Sequence, residues 1–165
     1  CSCFGAHVSD SPNHCVGRIT PFKTRGHVAM VGTFGYELDV TRISDNDKAE
    51  IKAQIEEFNK YNPLVRNGDY YRLGNPCVNT RWDAWQFVAK DKSETLLEFV
   101  QILKMPSVFE LRLKLKGLDK DKYYKHEESG QVFSGAFLMN NGIHIPSLWG
   151  DFQSYIAHFT AVENK

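Results

Sequence analysis

Glu37 and Asp39 stand two residues apart in the run Gly32-Thr-Phe-Gly-Tyr-Glu-Leu-Asp39. On an extended strand that spacing turns both carboxylates to one side with their Cα atoms roughly 6 to 7 Å apart. That is near the separation at which one acid attacks a glycosidic carbon while another protonates the leaving oxygen. Such pairs usually sit on different elements, on opposite sides of the scissile bond. Two neighbouring acids at a strand end therefore read as solvated groups or as partners of a nearby cation. Cys1, Cys3, His7, His14 and Cys15 form a cluster of soft ligands, but structural zinc sites use two close pairs separated by a longer loop, and this spacing does not supply them. Trp82, Trp85 and Trp149 are candidates for stacking on the apolar face of a sugar ring. Aromatic residues are more often core, so the sugar reading is kept for Trp149, which sits in the loop Pro146-Ser-Leu-Trp-Gly150.

The composition narrows the class. The chain has 165 residues, of which 42% are hydrophobic and 13% aromatic, enough to build a core. Twenty basic residues balance twenty acidic ones, so no long-range field gathers nucleic acid or an anionic membrane. Gly-x-Ser-x-Gly, Gly-Lys-Ser/Thr and Gly-x-Gly-x-x-Gly are all absent, which leaves no signature of a serine hydrolase elbow or a nucleotide. No apolar run approaches the roughly 18 residues that span a bilayer. Four unevenly spaced cysteines argue for a reducing compartment over a disulfide framework. The opening Cys-Ser-Cys-Phe reads as a segment entered midway.

Residues 26 to 40 are largely apolar with glycine punctuation and read as a buried strand ending in a loop. Ser44 is an N-cap candidate before Asp45 and Asp47, acids that suit the positive end of a helix. Ile51, Ile55 and Phe58 then recur at helical spacing, and the helix is expected to end near Tyr61. There Asn62-Pro63 disfavours the α region, with room for one further short turn up to Gly68. Beyond Gly68 the pattern predicts strands at 70–73, 82–90, 95–103, 109–116, 122–127, 131–138, 143–146 and 152–160, separated by turn-forming groups. Leu111, Leu113 and Leu115 alternate with Arg112, Lys114 and Lys116, which gives that strand one buried and one wet face. Strands at this spacing without intervening helices predict an antiparallel β-sandwich.

Several co-linear segments carry a resemblance. They are Gly5-Ala-His-Val-Ser9, Pro12-Asn-His14, Arg18-Ile-Thr20, Thr24-Arg25, the Gly32 to Asp39 run, Lys60-Tyr61 and Gly68-Asp-Tyr-Tyr-Arg-Leu73. They continue with Leu115-Lys-Gly-Leu-Asp119, Gly130-Gln-Val-Phe-Ser-Gly135, Leu138-Met-Asn140 and Gly150-Asp-Phe-Gln-Ser154. Together they resemble the C-terminal part of bacterial α-galactosidases of glycoside hydrolase family 36. The resemblance implies a mixed α/β segment over 1–67, the last strands and helix of a (β/α)₈ barrel, followed over 68–165 by an all-β antiparallel sandwich. The run Gly32 to Asp39 becomes the final barrel strand, and His7 and Ser9 fall near the barrel mouth, His7 as a hydrogen-bonded or core residue rather than a catalytic one.

The family removes terminal α-galactose from melibiose and raffinose-type sugars with retention, which needs two carboxylates. The motifs that carry them, Lys-Trp-Asp-x-Asn, Cys-x-x-Gly-Gly-Gly-Arg and Ser-Asp-x-x-Asp, are not found here. Arg81-Trp82-Asp83-Ala84-Trp85 only echoes the first of them, lacking its Lys and Asn, and Asp83 reads as a turn or strand-edge residue. The resemblance thus assigns this chain no catalytic, cofactor-binding or metal residue and no cofactor. Its partners are the α-galactoside, reached through the remainder of the barrel, and the rest of a parent chain that is cytoplasmic and commonly oligomeric. An isolated part-barrel exposes strand edges and is expected to be loose or to self-associate, whereas the sandwich closes its own core. A free carbohydrate-binding sandwich module is the alternative.

Overall fold

The computed structural model describes residues 5–75, 77, 81–106 and 111–163. Its first elements are a two-residue strand β1 (Val8–Ser9), a helix α1 (Phe22–Ala29) and a second short strand β2 (Tyr36–Glu37). β1 and β2 pair in parallel, Val8 opposite Tyr36 and Ser9 opposite Glu37. The expected strand over 26–40 is therefore wrong for most of its length. Gly26 to Ala29 are helical and only Tyr36–Glu37 are extended. The apolar positions that matter begin earlier, at Phe22, and Phe22, Gly26, Ala29 and Met30 recur at helical spacing.

Helix α2 (Asp45–Asn67) starts as predicted, with the Ser44 hydroxyl accepting from the Asp47 N–H at 3.1 Å. It does not stop near Tyr61 but passes through Pro63. Proline removes one ladder bond, yet beyond it Leu64 and Val65 join Tyr61 in burying against Phe87 and Leu96, and that packing holds the last turns in place. The end is closed by the Gly68 N–H on the Leu64 carbonyl at 2.8 Å and by the Asn67 amide on the Pro63 carbonyl at 2.9 Å. The buried stripe is Gln54, Tyr61, Leu64 and Val65, flanked by the half-buried Ile51 and Phe58, while Ile55 is exposed.

Six strands follow in one antiparallel sheet: β3 (Asp69–Arg72), β4 (Trp82–Val88), β5 (Glu94–Gln101), β7 (Tyr123–His126), β8 (Val132–Ser134) and β10 (Gln153–Val162). The spatial order is β3-β4-β5-β10-β7-β8. A separate antiparallel ribbon joins β6 (Arg112–Leu113) to β9 (Ile143–His144). The expected strand over 131–138 ends at Ser134, whose hydroxyl caps a short helix α3 (Gly135–Asn140) through the Phe137 N–H at 3.1 Å. Phe109, in the expected 109–116 strand, lies outside the described residues, as do Cys1, Cys3, Pro76 and Ser107.

The two faces of the sheet are covered differently. On one, Ala84, Val88, Leu97, Phe99, Ala157 and Phe159 pack against Leu113, Leu115, Leu118, Leu138, Ile143 and Ile145, so the leucine alternation points inward as read. This is a sandwich-like antiparallel domain whose second layer is the β6–β9 ribbon, α3 and their connections. The buried Gln86 side chain fastens the layers: its amide donates to the Lys116 carbonyl at 3.0 Å and to Thr95 Oγ1 at 2.9 Å, and its oxygen accepts from the Lys116 N–H at 2.8 Å. Gly142, at φ +77°, lets the ribbon close, because a Cβ there would lie 2.4 Å from the Leu113 carbonyl oxygen. The other face of the sheet receives α1 and α2. Those helices cross at Gly26, where a Cβ would meet the Gln54 side chain at 2.4 Å.

Candidate functional site

Parallel strands present their C-terminal ends together, and in α/β architectures ligands are held by the loops leaving those ends. The loops after β1 and β2 are well tied. Arg25 on α1 donates through its guanidinium to the carbonyls of Ser9 and, at 3.1 Å, of Thr20, and its charge lies 4.8 Å from the centre of the Phe22 ring. Asn13 Oδ1 accepts from the Cys15 and Val16 N–H groups at 3.0 and 3.1 Å. Arg18 reaches across to the Phe152 ring at 5.1 Å. A small cleft of about 140 Å³ remains between Asp10, Asn13, Arg18 and Arg25.

The two strand-end acids are employed separately. Glu37 pairs with His7 Nε2 at 2.6 Å, both groups largely exposed. Asp39 accepts from the Thr41 hydroxyl and N–H at 2.6 and 2.9 Å, and these bonds hold its carboxyl below the usual carboxylate range. A general acid needs a raised pKa in a site closed to water. Asp39 has the opposite shift and is exposed, and Glu37 is paired with His7. Asp83 takes the Arg72 guanidinium as its partner, and Trp85 donates its indole N–H to Glu98. His14, Cys15 and Cys77 are exposed, and among the described residues no group of three or more His, Cys, Asp or Glu is placed to hold a metal ion. Trp149 is 89% exposed, on a loop whose Leu148 and Gly150 carbonyls are bound by the Gln101 amide at 3.3 and 2.6 Å.

Sequence reasoning passed over a buried polar seam between the helices and the sheet. It contains His27, Glu98 and His158, with Glu57 set 3.6 Å from His27 Nε2 and Glu94 2.9 Å from His158 Nε2. Burial pushes the Glu98 carboxyl up to about 8, the Trp85 N–H opposes that rise, and nearby Glu57 adds to it. The signal was present in Leu96-Leu-Glu-Phe-Val100, where one acid interrupts an apolar run.

Two family models match the chain, Melibiase over residues 1–68 and the glycosyl hydrolase family 36 C-terminal domain over residues 82–159. The chain belongs to glycoside hydrolase family 36. Among curated relatives of this family, the bifunctional α-galactosidase/sucrose kinase AgaSK of Mediterraneibacter gnavus is 39% identical over 98% of the chain and 17% of its own length. α-Galactosidase AgaA of Geobacillus stearothermophilus is 41% identical over 98% of the chain and 22% of its own length. The chain thus spans about a fifth of the length of these relatives. The solved galactosidase domain of AgaSK superposes with a TM-score of 0.94, covering 98% of this chain and 22% of that one. An AgaA variant in complex with raffinose superposes at 0.92 with 41% identity, covering 96% of this chain and 22% of that one. Among the described residues no helix is long and apolar enough to cross a membrane.

Proposed function

We propose that this chain serves as the C-terminal portion of an α-galactosidase that removes terminal α-galactosyl groups from melibiose- and raffinose-type oligosaccharides by a retaining two-carboxylate mechanism. In this reading residues 1–67 complete the (β/α)₈ barrel and residues 68–165 form the sandwich that buttresses it. The parallel pairing of Val8 with Tyr36 and Ser9 with Glu37 carries the proposal. A two-residue parallel ladder has little stability of its own and belongs in a larger parallel sheet covered by helices. The employment of Glu37 and Asp39 in local pairs is in keeping with a nucleophile and an acid/base supplied by other parts of the enzyme. The exposed Cys15 and Cys77 thiols suit a reducing cytoplasm.

Hydrolysis of p-nitrophenyl α-galactoside by the purified 165-residue chain tests this, with a full-length relative as positive control. Background release is the expected result. Turnover that titrates with an active-site-directed inhibitor and disappears in Glu37→Gln or Asp39→Asn would overturn the reading. The exposed Trp149 on its tethered loop supports the second reading, a sugar-binding module. Saturable binding of galacto-oligosaccharides that is lost in Trp149→Ala would favour it.

A further inference from the structure

Glu98 lies on the face of β5 turned toward the helices, between its cross-strand neighbours Trp85 and Ile156, and is 1% exposed. Its Oε2 accepts from the Trp85 indole N–H at 3.0 Å, while its buried Oε1 has no partner among the described residues. An ionised carboxylate in that position is held by one neutral donor, and burying such a charge is costly. The groups facing the seam do not relieve it. From α2 come Glu57 and Tyr61, from α1 His27, and from β10 His158, whose Nε2 is bonded to Glu94 of β5. Lys60 of α2 lies over the Tyr61 ring at 4.9 Å, and among the described residues neither it nor any other lysine or arginine pairs with Glu98. Among the described residues both histidines leave a buried Nδ1 unpartnered, while His158 Nε2 is hydrogen-bonded to Glu94 at 2.9 Å and His27 Nε2 faces Glu57 at 3.6 Å. Their partners are therefore spoken for.

We propose that Glu98 is a proton-operated catch: as the neutral acid it seats α1 and α2 on the sheet, and losing its proton releases them. The sign follows from linkage. Lifting the helices hydrates Glu98 and returns it toward the ordinary value of 4.5, against about 8 when seated. Below pH 4.5 both states are protonated and the seam is at its tightest. Between those values only the lifted state ionises, so opening gains about tenfold per pH unit, and it levels off above about 8. Over the whole interval, from 4.5 to about 8, this amounts to roughly three-thousandfold.

The test is hydrogen–deuterium exchange of peptides from α1 and α2 in the 165-residue chain between pH 5 and 9, corrected for the intrinsic pH dependence of amide exchange. The Glu98→Gln variant is measured alongside, since glutamine mimics the neutral acid. Wild-type opening is expected to rise and then level as above, while Gln keeps both helices protected across the range. Glu57→Gln removes the adjacent acid and is expected to start the levelling at lower pH. Equal pH dependence in wild type and Glu98→Gln, or failure of the Gln variant to fold, would overturn the proposal. The readout involves no sugar chemistry, so an active 165-residue galactosidase would sink the functional reading and leave this one standing.

Discussion

Gly26→Ala sets two effects of opposite sign against each other. In an isolated helix the change stabilises, because alanine exceeds glycine by about 1 kcal/mol in helix propensity. Here the added Cβ would lie 2.4 Å from Gln54 Cδ and 2.5 Å from its Nε2. Gln54 is 5% exposed, and it cannot swing aside freely. Its amide donates to the Phe22 carbonyl at 3.1 Å and its oxygen accepts from the Tyr36 hydroxyl at 2.9 Å. Displacing it forfeits two hydrogen bonds at about 1 kcal/mol each, and strain from the crowded crossing adds about 1 kcal/mol or more. The steric side wins, leaving a net destabilisation of about 2 kcal/mol, which corresponds to a fall in Tm on the order of 5 °C for a chain of this size. Urea unfolding followed by far-UV circular dichroism measures it. The double variant Gly26→Ala/Gln54→Ala is expected to be less destabilised than the sum of its parts, because the small side chain clears the space. A Gly26→Ala protein more stable than wild type by about 1 kcal/mol would show that propensity alone governs and that the crossing is not close.

Other substitutions probe separate parts of the chain. Ser44→Ala removes the cap of α2 and should cost about 1 kcal/mol in urea unfolding, with the loss of protection in hydrogen exchange confined to the first turn. Gln86→Leu strands the Lys116 N–H and carbonyl that the amide now satisfies, and should destabilise the sandwich by about 3 kcal/mol despite its apolar replacement; a neutral outcome would mean the clamp is not formed. Leu115→Ala, at a site 2% exposed, should cost about 2 to 5 kcal/mol by the same denaturation assay. Trp149→Ala should leave stability within about 0.5 kcal/mol, because the loop is held through its backbone by Gln101.

Family and architecture were legible because they rest on local patterns. The Ser44 cap with its trailing acids specified where α2 begins, and the alternation of Leu111, Leu113 and Leu115 specified which side of that strand is buried. The co-linear motifs from Gly5 to Ser154 pointed to family 36, to which the chain belongs. What failed depended on neighbours distant in sequence. The run from Gly26 was read as a strand because its apolar residues are contiguous. It opens as a helix because the buried positions Phe22, Gly26, Ala29 and Met30 repeat at helical spacing from a start four residues earlier, and which of the apolar residues are buried is decided by the packing of α1 on α2 and the sheet. Asn62-Pro63 reads as the helix end with at most one short turn up to Gly68, but α2 runs on unbroken to Asn67 because Leu64 and Val65 find a sheet surface built by residues 87 and 96. The pattern extends the strand through 138, but it ends at Ser134, whose hydroxyl caps α3.

Sequence by itself determined the period of α2 and of most strands of the sheet, the sign and balance of charge, and the absence of the family's catalytic motifs, all properties of residue type and near-neighbour spacing. Only the tertiary structure decided that β10 inserts between β5 and β7, that β6 pairs with β9, and that Glu37 meets His7 while Asp39 turns to Thr41. It also decided that Glu98, one acid among twenty acidic residues, is sealed beneath two helices. Burial and partnership are relations between segments far apart in the chain, and they exist only once folding has brought those segments into contact.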